Sequence, residues 1–242
     1  MALPILETTR HNLNIPSSGQ EISYRPFLVK EQKMLMIASE TGNQSDMINS
    51  MIDMVNSCTF NEIKAENLAS FDLEYIFLKI RSKSMGSEVE LNVTCPDDEE
   101  TKVKVKLNLD DIEIKVPKDL QTVLEMTENI SVEMGFPTMK EINYIVKEYG
   151  EREDTKVASI FDLVKLCIIR VIDKGEDIIY ETQDFTSDDL DRFLDSLNNE
   201  QFGKIEDFFN HMPKLSHEIT VTNPNTKKKN KVVLEGLQDF LE

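Results

Sequence analysis

The chain has no tryptophan, only three histidines and only three cysteines among its 242 residues. The histidines His11, His211 and His217 form no H-E-x-x-H or comparable spacing, so they offer no recognisable metal or hydrolase motif. Cys58, Cys95 and Cys167 are an odd number, which argues against a disulfide framework. With no charged-then-apolar leader at the start, they point to a reducing compartment such as a cytoplasm. Eight glycines and eight prolines are too few for a fibrous repeat or a low-complexity tail. Positive charge is also scarce. Against 45 Asp plus Glu stand 27 Lys plus Arg, and the resulting net charge of -18 repels a phosphate backbone. The one basic run, Lys227 to Lys231, lies in an expected hairpin loop without interleaved aromatics, so it reads as a solvated turn and no nucleic acid partner is expected.

Long apolar runs are absent as well. The longest, Val157 to Ile172, is broken by Asp162, Lys165 and Arg170; it is too short and too charged to span a bilayer and is expected to be a buried helix. No G-x-S-x-G elbow, phosphate-binding loop or G-x-G-x-x-G turn occurs. Adjacent acids such as Asp110-Asp111 and Asp188-Asp189 are commonplace in so acidic a chain, and the second pair suits a helix N-terminus. The expectation is therefore a non-enzymatic protein with no catalytic residues, no cofactor, no metal and no membrane partner.

What the chain does contain is enough apolar residue, 40% against 30% charged, to bury a core as one large domain or two small ones. Leu13 to Phe27 reads as a hairpin around Pro16-Ser17-Ser18-Gly19. Helices are expected over Leu28 to Glu40, stopped by Gly42-Asn43, over Asp46 to Ser57, and over Phe71 to Lys83, with Leu73, Ile76, Phe77 and Ile80 on one side. Period-two alternation marks strands at Glu88 to Thr94 and Thr101 to Leu107, with a third at Ile112 to Val116 and another at Ile130 to Phe136. Pro137-Thr138 opens a helix to about Tyr149, and Glu151 to Asp154 is a charged linker. A strand is expected at Asp177 to Glu181, followed by a helix pair with stripes Leu190, Phe193, Leu194, Leu197 and Phe202, Ile205, Phe208, Phe209, Met212. A second hairpin, Glu218 to Thr222 with Lys231 to Glu235, closes the chain. The class is α+β, helical units combined with antiparallel hairpins, in two lobes: 1–117 and 118–242.

Val93-Thr94-Cys95-Pro96 looks like half of a zinc knuckle. A zinc ribbon takes four ligands from two such turns, and here there is one cysteine. Val221-Thr222-Asn223-Pro224 repeats the pattern with asparagine in the cysteine position, so the turn is expected to form without metal. Two features lean toward protein binding. Met34, Met36, Met47, Met51 and Met54 crowd flexible thioethers into one region, where they suit either a repacking surface or an ordinary core. The hairpins also present edges to which a partner could add strands.

Tyr24-Arg25-Pro26-Phe27-Leu28-Val29-Lys30-Glu31, the block from Phe71 to Ser84, and the ending Val233-Leu234-Glu235-Gly236-Leu237 resemble the baseplate hub assembly protein family of T-even-like contractile-tailed bacteriophages. Met85-Gly86-Ser87 departs from the Val-Gly-Glu of that pattern, and the resemblance is thin from Leu120 to Asp154. It implies a non-enzymatic chaperone that binds baseplate hub subunits in the host cytoplasm while the tail is built. A permanent hub subunit of the virion is the alternative, and self-association is left open. Aromatic and arginine residues are the usual interface anchors. Tyr24, Arg25, Phe27, Lys30 and Met34, with Tyr75, Lys79 and Arg81 on a positive face of the third helix, are accordingly the candidate partner-binding residues. The first group could equally staple the hairpin to the first helix, and internal ion pairs with Glu74 or Asp72 could equally explain the second.

Overall fold

The computed structural model describes residues 7–114, 116–117, 120–150, 152 and 155–240. In chain order the elements are β1 (His11–Asn14), β2 (Glu21–Tyr24), α1 (Val29–Thr41), α2 (Gln44–Cys58), α3 (Ser70–Met85), β3 (Glu88–Thr94) and β4 (Lys102–Asn108). There follow β5 (Val123–Glu125), β6 (Ile130–Met134), α4 (Met139–Tyr149), α5 (Lys156–Cys167), β7 (Ile168–Asp173), β8 (Ile178–Glu181), α6 (Ser187–Asp195), α7 (Asn199–His211), β9 (Ser216–Thr222) and β10 (Lys229–Glu235). The α+β class is as expected. Contacts divide the chain into two compact units, residues 1–115 with 213–242, and residues 116–212. The expected split at 117 differs in one respect: the terminal hairpin groups with the N-terminal elements.

In the first unit, three antiparallel pairs, β1-β2, β3-β4 and β9-β10, accompany three helices. Gly42, at φ 65, ends α1 in the left-handed conformation, and Asn43 then caps α2 by accepting from the Ser45 and Asp46 amides. α3 is the centre of the core. Leu73, Ile76, Leu78 and Ile80 are fully buried, and so are Phe71, Asp72 and Ser82. Because this helix is covered on nearly every side, its apolar residues do not keep to the single stripe that the sequence suggested. Buried Asp72 accepts from the amide and hydroxyl of Ser17, which stitches the β1-β2 loop onto the first turn of α3.

Of the strand expected over Ile112 to Val116, the described residues Ile112, Glu113, Ile114 and Val116 form no strand, and Lys115 lies outside the described residues. A 3-10 turn, Leu109–Asp111, precedes them, and Ile112 is buried. The cause lies in Asp110, whose carboxylate accepts from Ser82 Oγ at 2.6 Å and Lys83 Nζ at 2.7 Å, while Lys79 Nζ binds the Leu109 and Asp110 carbonyls. These four bonds draw the chain onto α3 and away from the edge of β4.

In the second unit a four-stranded antiparallel sheet runs β5-β6-β7-β8. Its core is Leu124, Val132, Met134, Val164, Cys167 and Ile168 with Leu190, Leu194, Ile205 and Phe208 from α6 and α7. Three capping boxes, Thr138 with Glu141, Thr186 with Asp189 and Asn198 with Gln201, start α4, α6 and α7. The Val157 to Ile172 run is not one buried helix. α5 ends at Cys167 and β7 begins at Ile168, because the β-branched Ile168, Ile169, Val171 and Ile172 favour the pleated ladder with β6. Val157 and Ile160 are exposed. β5 has only three residues and gave no sequence signal; it is fixed by the pairing of Leu124 with Val132. Of the expected charged linker, Glu151, Glu153 and Asp154 lie outside the described residues.

Candidate interaction surface

The segment from Tyr24 to Glu31 turns the chain from β2 into α1. Pro26 holds Arg25 extended, and the Arg25 amide bonds to the Cys58 carbonyl at 2.9 Å, which leaves its side chain under α2. There Arg25 Nη2 meets Glu31 Oε1 at 2.8 Å and Ser57 Oγ at 3.0 Å. Glu31 also accepts from the Leu28 amide and the Ser57 hydroxyl and is 1% exposed. Burial alone would raise the Glu31 pKa, but the hydrogen bonds from Arg25, the Leu28 amide and Ser57 bring it down to about 2. Tyr24 is buried beside His11, and burial pushes its hydroxyl up to about 12. Phe27 is half-buried, and its amide donates to Ser84 Oγ. Arg25 thus braces the end of the hairpin against α1 and α2 from inside, and Tyr24 is buried as well, whereas Lys30 and Met34 are exposed on α1.

Of the five clustered methionines, Met34 and Met36 face solvent, Met47 and Met51 are half-buried, and Met54 is in the core. α1 is the most exposed helix of the first unit; only Glu31 and Ala38 are buried, and Val29, Met36 and Ile37 are 79%, 59% and 52% exposed. In the second unit the outer strand β8 presents Ile178, Ile179 and Tyr180, all exposed. Exposed apolar residues grouped on an open face make both surfaces candidates for protein binding.

On α3, Lys79 is buried, lies 5.1 Å over the Tyr75 ring and spends its charge on the 109–111 turn; Tyr75 is half-buried. Arg81 is different. Its side chain is half-buried, its Nη1 is buried with no hydrogen-bond partner, and no described carboxylate forms an ion pair with it. Seven residues earlier on the same stripe of the helix, Glu74 likewise has no described partner, and burial raises its pKa to about 7. At about 1.5 Å rise per residue the two are some 10 Å apart along the axis, too far to neutralise each other. The sequence offered Glu74 and Asp72 as internal ion-pair partners for this face; Asp72 instead accepts from Ser17, and neither forms an ion pair with a described residue of the helix.

The two knuckle-like loops meet. In each, the residue after Thr94 or Thr222 closes the strand pair: the Cys95 amide donates to the Thr101 carbonyl and the Asn223 amide to the Lys228 carbonyl. Four residues on, Glu99 and Lys227 both take positive φ, 56 and 62, and both amides return to the Cys95 or Asn223 carbonyl. Buried Asn223 then donates to Asp97 Oδ1 at 2.9 Å and Asp98 Oδ2 at 2.8 Å, and Asn230 and Thr226 also bond Asp97. Hydrogen bonds from Thr226, Asn223 and Asn230 hold Asp97 below the ordinary carboxylate range, and bonds from Thr101 and Asn223 do the same for Asp98. An amide–carboxylate network therefore joins the tips where a ribbon would carry metal. Among the described residues no group of three or more His, Cys, Asp or Glu is placed to hold an ion.

A cleft of about 890 Å³ in the second unit is lined by Leu120, Leu124, Glu125, Lys204, Phe208 and His211. His211 Nδ1 lies 2.7 Å from the Asp207 carbonyl and Lys204 Nζ 2.7 Å from the Glu125 carbonyl, so both polar groups are engaged with backbone within the fold. His217 belongs to β9, in the other unit. No helix among the described residues is long and apolar enough to cross a membrane.

Comparison with curated proteins and with solved structures yields no match. A family model described as T4 bacteriophage base plate protein matches residues 8–242, nearly the whole chain, and the protein belongs to that family.

Proposed function

We propose that this baseplate protein is a non-enzymatic assembly factor that binds hub subunits in the host cytoplasm while the centre of the baseplate is built. The observation that carries the proposal, beyond family membership, is the exposed apolar face of α1, where Val29, Met36 and Ile37 stand among Lys30, Lys33 and Glu40. A 13-residue helix that buries only Glu31 and Ala38 leaves most of its apolar surface open and is suited to cover by another chain. In the cleft, Lys204 Nζ and His211 Nδ1 are spent on backbone carbonyls, which supports a binding role over a catalytic one. The test is co-expression with each hub subunit of the phage that encodes the chain. A complex should co-purify, and Met36→Glu with Ile37→Glu should abolish it without lowering the melting temperature. Loss of binding only together with unfolding, or no complex with any hub subunit, contradicts the proposal.

A further inference from the structure

Beside β5, an end strand of the second unit's sheet, the fold leaves backbone hydrogen-bonding groups open within a cleft. α7 runs alongside this strand in the opposite direction: Gln201 Nε2 donates to the Met126 carbonyl at 3.0 Å and Lys204 Nζ to the Glu125 carbonyl at 2.7 Å. Over that stretch, side chains of the helix stand in for the missing strand. The next residue on the same helix face is Asp207, whose carboxylate has no hydrogen to give to a carbonyl. From there to His211 the helix and the segment that includes β5 enclose the cleft of about 890 Å³, with Leu120, Leu124 and Phe208 as its apolar lining.

The ladder fixes which groups of β5 face outward. The Thr122 carbonyl accepts from the Met134 amide and the Met126 amide donates to the Ile130 carbonyl, and in an antiparallel pair inward-bonded residues alternate with outward-facing ones. Leu124 therefore bonds to Val132, while Val123 and Glu125 turn their amides and carbonyls away from the sheet. Lys204 holds the Glu125 carbonyl; the Val123 amide, the Val123 carbonyl and the Glu125 amide have no partner among the described residues. Val123 is 41% exposed, so the edge is open to another chain. The opposite edge of the sheet is closed over part of its length, since both the amide and the carbonyl of Glu181 in β8 are bonded to Asp184. Across the cleft, Asp207 is exposed and forms no ion pair with a described residue.

We propose that the cleft between β5 and α7 is a docking site for an extended segment of another baseplate protein, which adds a strand to β5, lays an apolar side chain on Leu120, Leu124 and Phe208, and sets a lysine or arginine against Asp207. A residue opposite Val123 in an antiparallel added strand exchanges both hydrogen bonds with it. Charge selects the occupant. A second copy brings a net charge of -18, and its own β5 segment, Gln121 to Glu125, has no cation to offer. The inference rests on the reading of the chain as a protein that binds other baseplate proteins, and it adds to α1 a surface in the second unit and the chemistry of its occupant.

Overlapping peptides that cover the baseplate proteins of the phage encoding the chain, titrated against the whole protein by fluorescence anisotropy, test this. Those that bind should carry a lysine or arginine in a strand-forming stretch. In the complex, hydrogen exchange of the Val123 and Glu125 amides should slow about tenfold or more, while that of Leu124, already in the ladder, changes little. Asp207→Lys and Val123→Pro should each weaken binding about tenfold or more. Neither should disturb the fold, because Asp207 is exposed and the proline removes an amide outside the ladder. Equal melting temperatures check this, and if Val123→Pro melts lower, Asp207→Lys and the amide exchange of the wild type decide. No bound peptide, or a bound peptide that withstands the substitutions or leaves the two amides exchanging as in the free chain, overturns the inference. Self-association of the chain that is lost in Val123→Pro also overturns it, by making a second copy the occupant. Met36→Glu with Ile37→Glu should leave peptide binding unchanged, so co-purification with a hub subunit that depends on α1 alone leaves the assembly role intact while this inference falls.

Discussion

Glu74 gives the most quantitative prediction. The carboxyl has no described hydrogen-bond or ionic partner, and burial raises its pKa from 4.5 to about 7. At about 1.36 kcal/mol per unit, the shift corresponds to roughly 3 kcal/mol of destabilisation when the group is ionised, an upper figure given its residual exposure. A folded-state pKa above the unfolded value means that the native state takes up the proton first as pH falls. The penalty is therefore full above about 7, and stability rises as pH falls from about 7 toward about 4.5. Glu74→Gln keeps the shape without the charge. At pH 8 it should be more stable than wild type by about 1–2 kcal/mol, after allowing for an amide that also lacks partners. That is several degrees of melting temperature for a chain of this size. At pH 5 the two should nearly coincide. Urea denaturation of both proteins from pH 5 to 8 measures this. A variant that is less stable than wild type at pH 8, or a difference that does not change between pH 8 and pH 5, would refute the reasoning by showing that Glu74 is ionised and paired.

Other changes probe the first unit's internal braces and the second unit's core. Glu31→Gln leaves Arg25 buried without its counter-charge and should cost about 3–5 kcal/mol, read from denaturant midpoints; Arg25→Met combined with Glu31→Leu should recover much of the loss. The lowered Glu31 pKa adds stability that is present above the unfolded value of about 4.5 and is lost as pH falls toward about 2, so this acid branch lies below the Glu74 window. Asn223→Ala withdraws a fully buried amide from two carboxylates and should cost about 1–3 kcal/mol, and excess chelator should leave the melting temperature of the wild type unchanged. Phe208→Ala, which empties a site between stacked Phe136 and edge-on Phe209, should cost about 3–5 kcal/mol, measured by loss of the folded fraction in denaturant.

Where the physics is local, the sequence was readable. Alternation in Lys102–Asn108 and Lys229–Glu235 gave the strands because each hairpin has one wet face and one packed face. Gly42, Asn43, Thr138 and Thr186 gave helix boundaries because caps act within four residues. What depended on distant neighbours was hidden. The strand expected after Asp110 yields to side chains from α3, nearly thirty residues away in sequence. Ile168 to Ile172 keeps a helix-compatible apolar pattern but pairs with β6, so the long-range partner decides. The same limit applies to the surface. Tyr24 and Arg25 have the composition of interface anchors, yet both are buried in the fold, while the missing partner of Arg81 Nη1 is visible only in the structure. The knuckle-like repeat is intermediate. Val-Thr-x-Pro was legible twice, but only the fold shows Asp97 and Asp98 meeting Asn223 across 126 and 125 residues of sequence.

Under the proposed function the chain helps to build the baseplate hub and then leaves it. Quantitative mass spectrometry of purified virions, set against lysates of infected cells, tests this most directly. The account predicts an abundant chain in the cells and less than one copy per virion; a fixed whole-number stoichiometry with the hub subunits in the virion would contradict it and make the protein a permanent structural component.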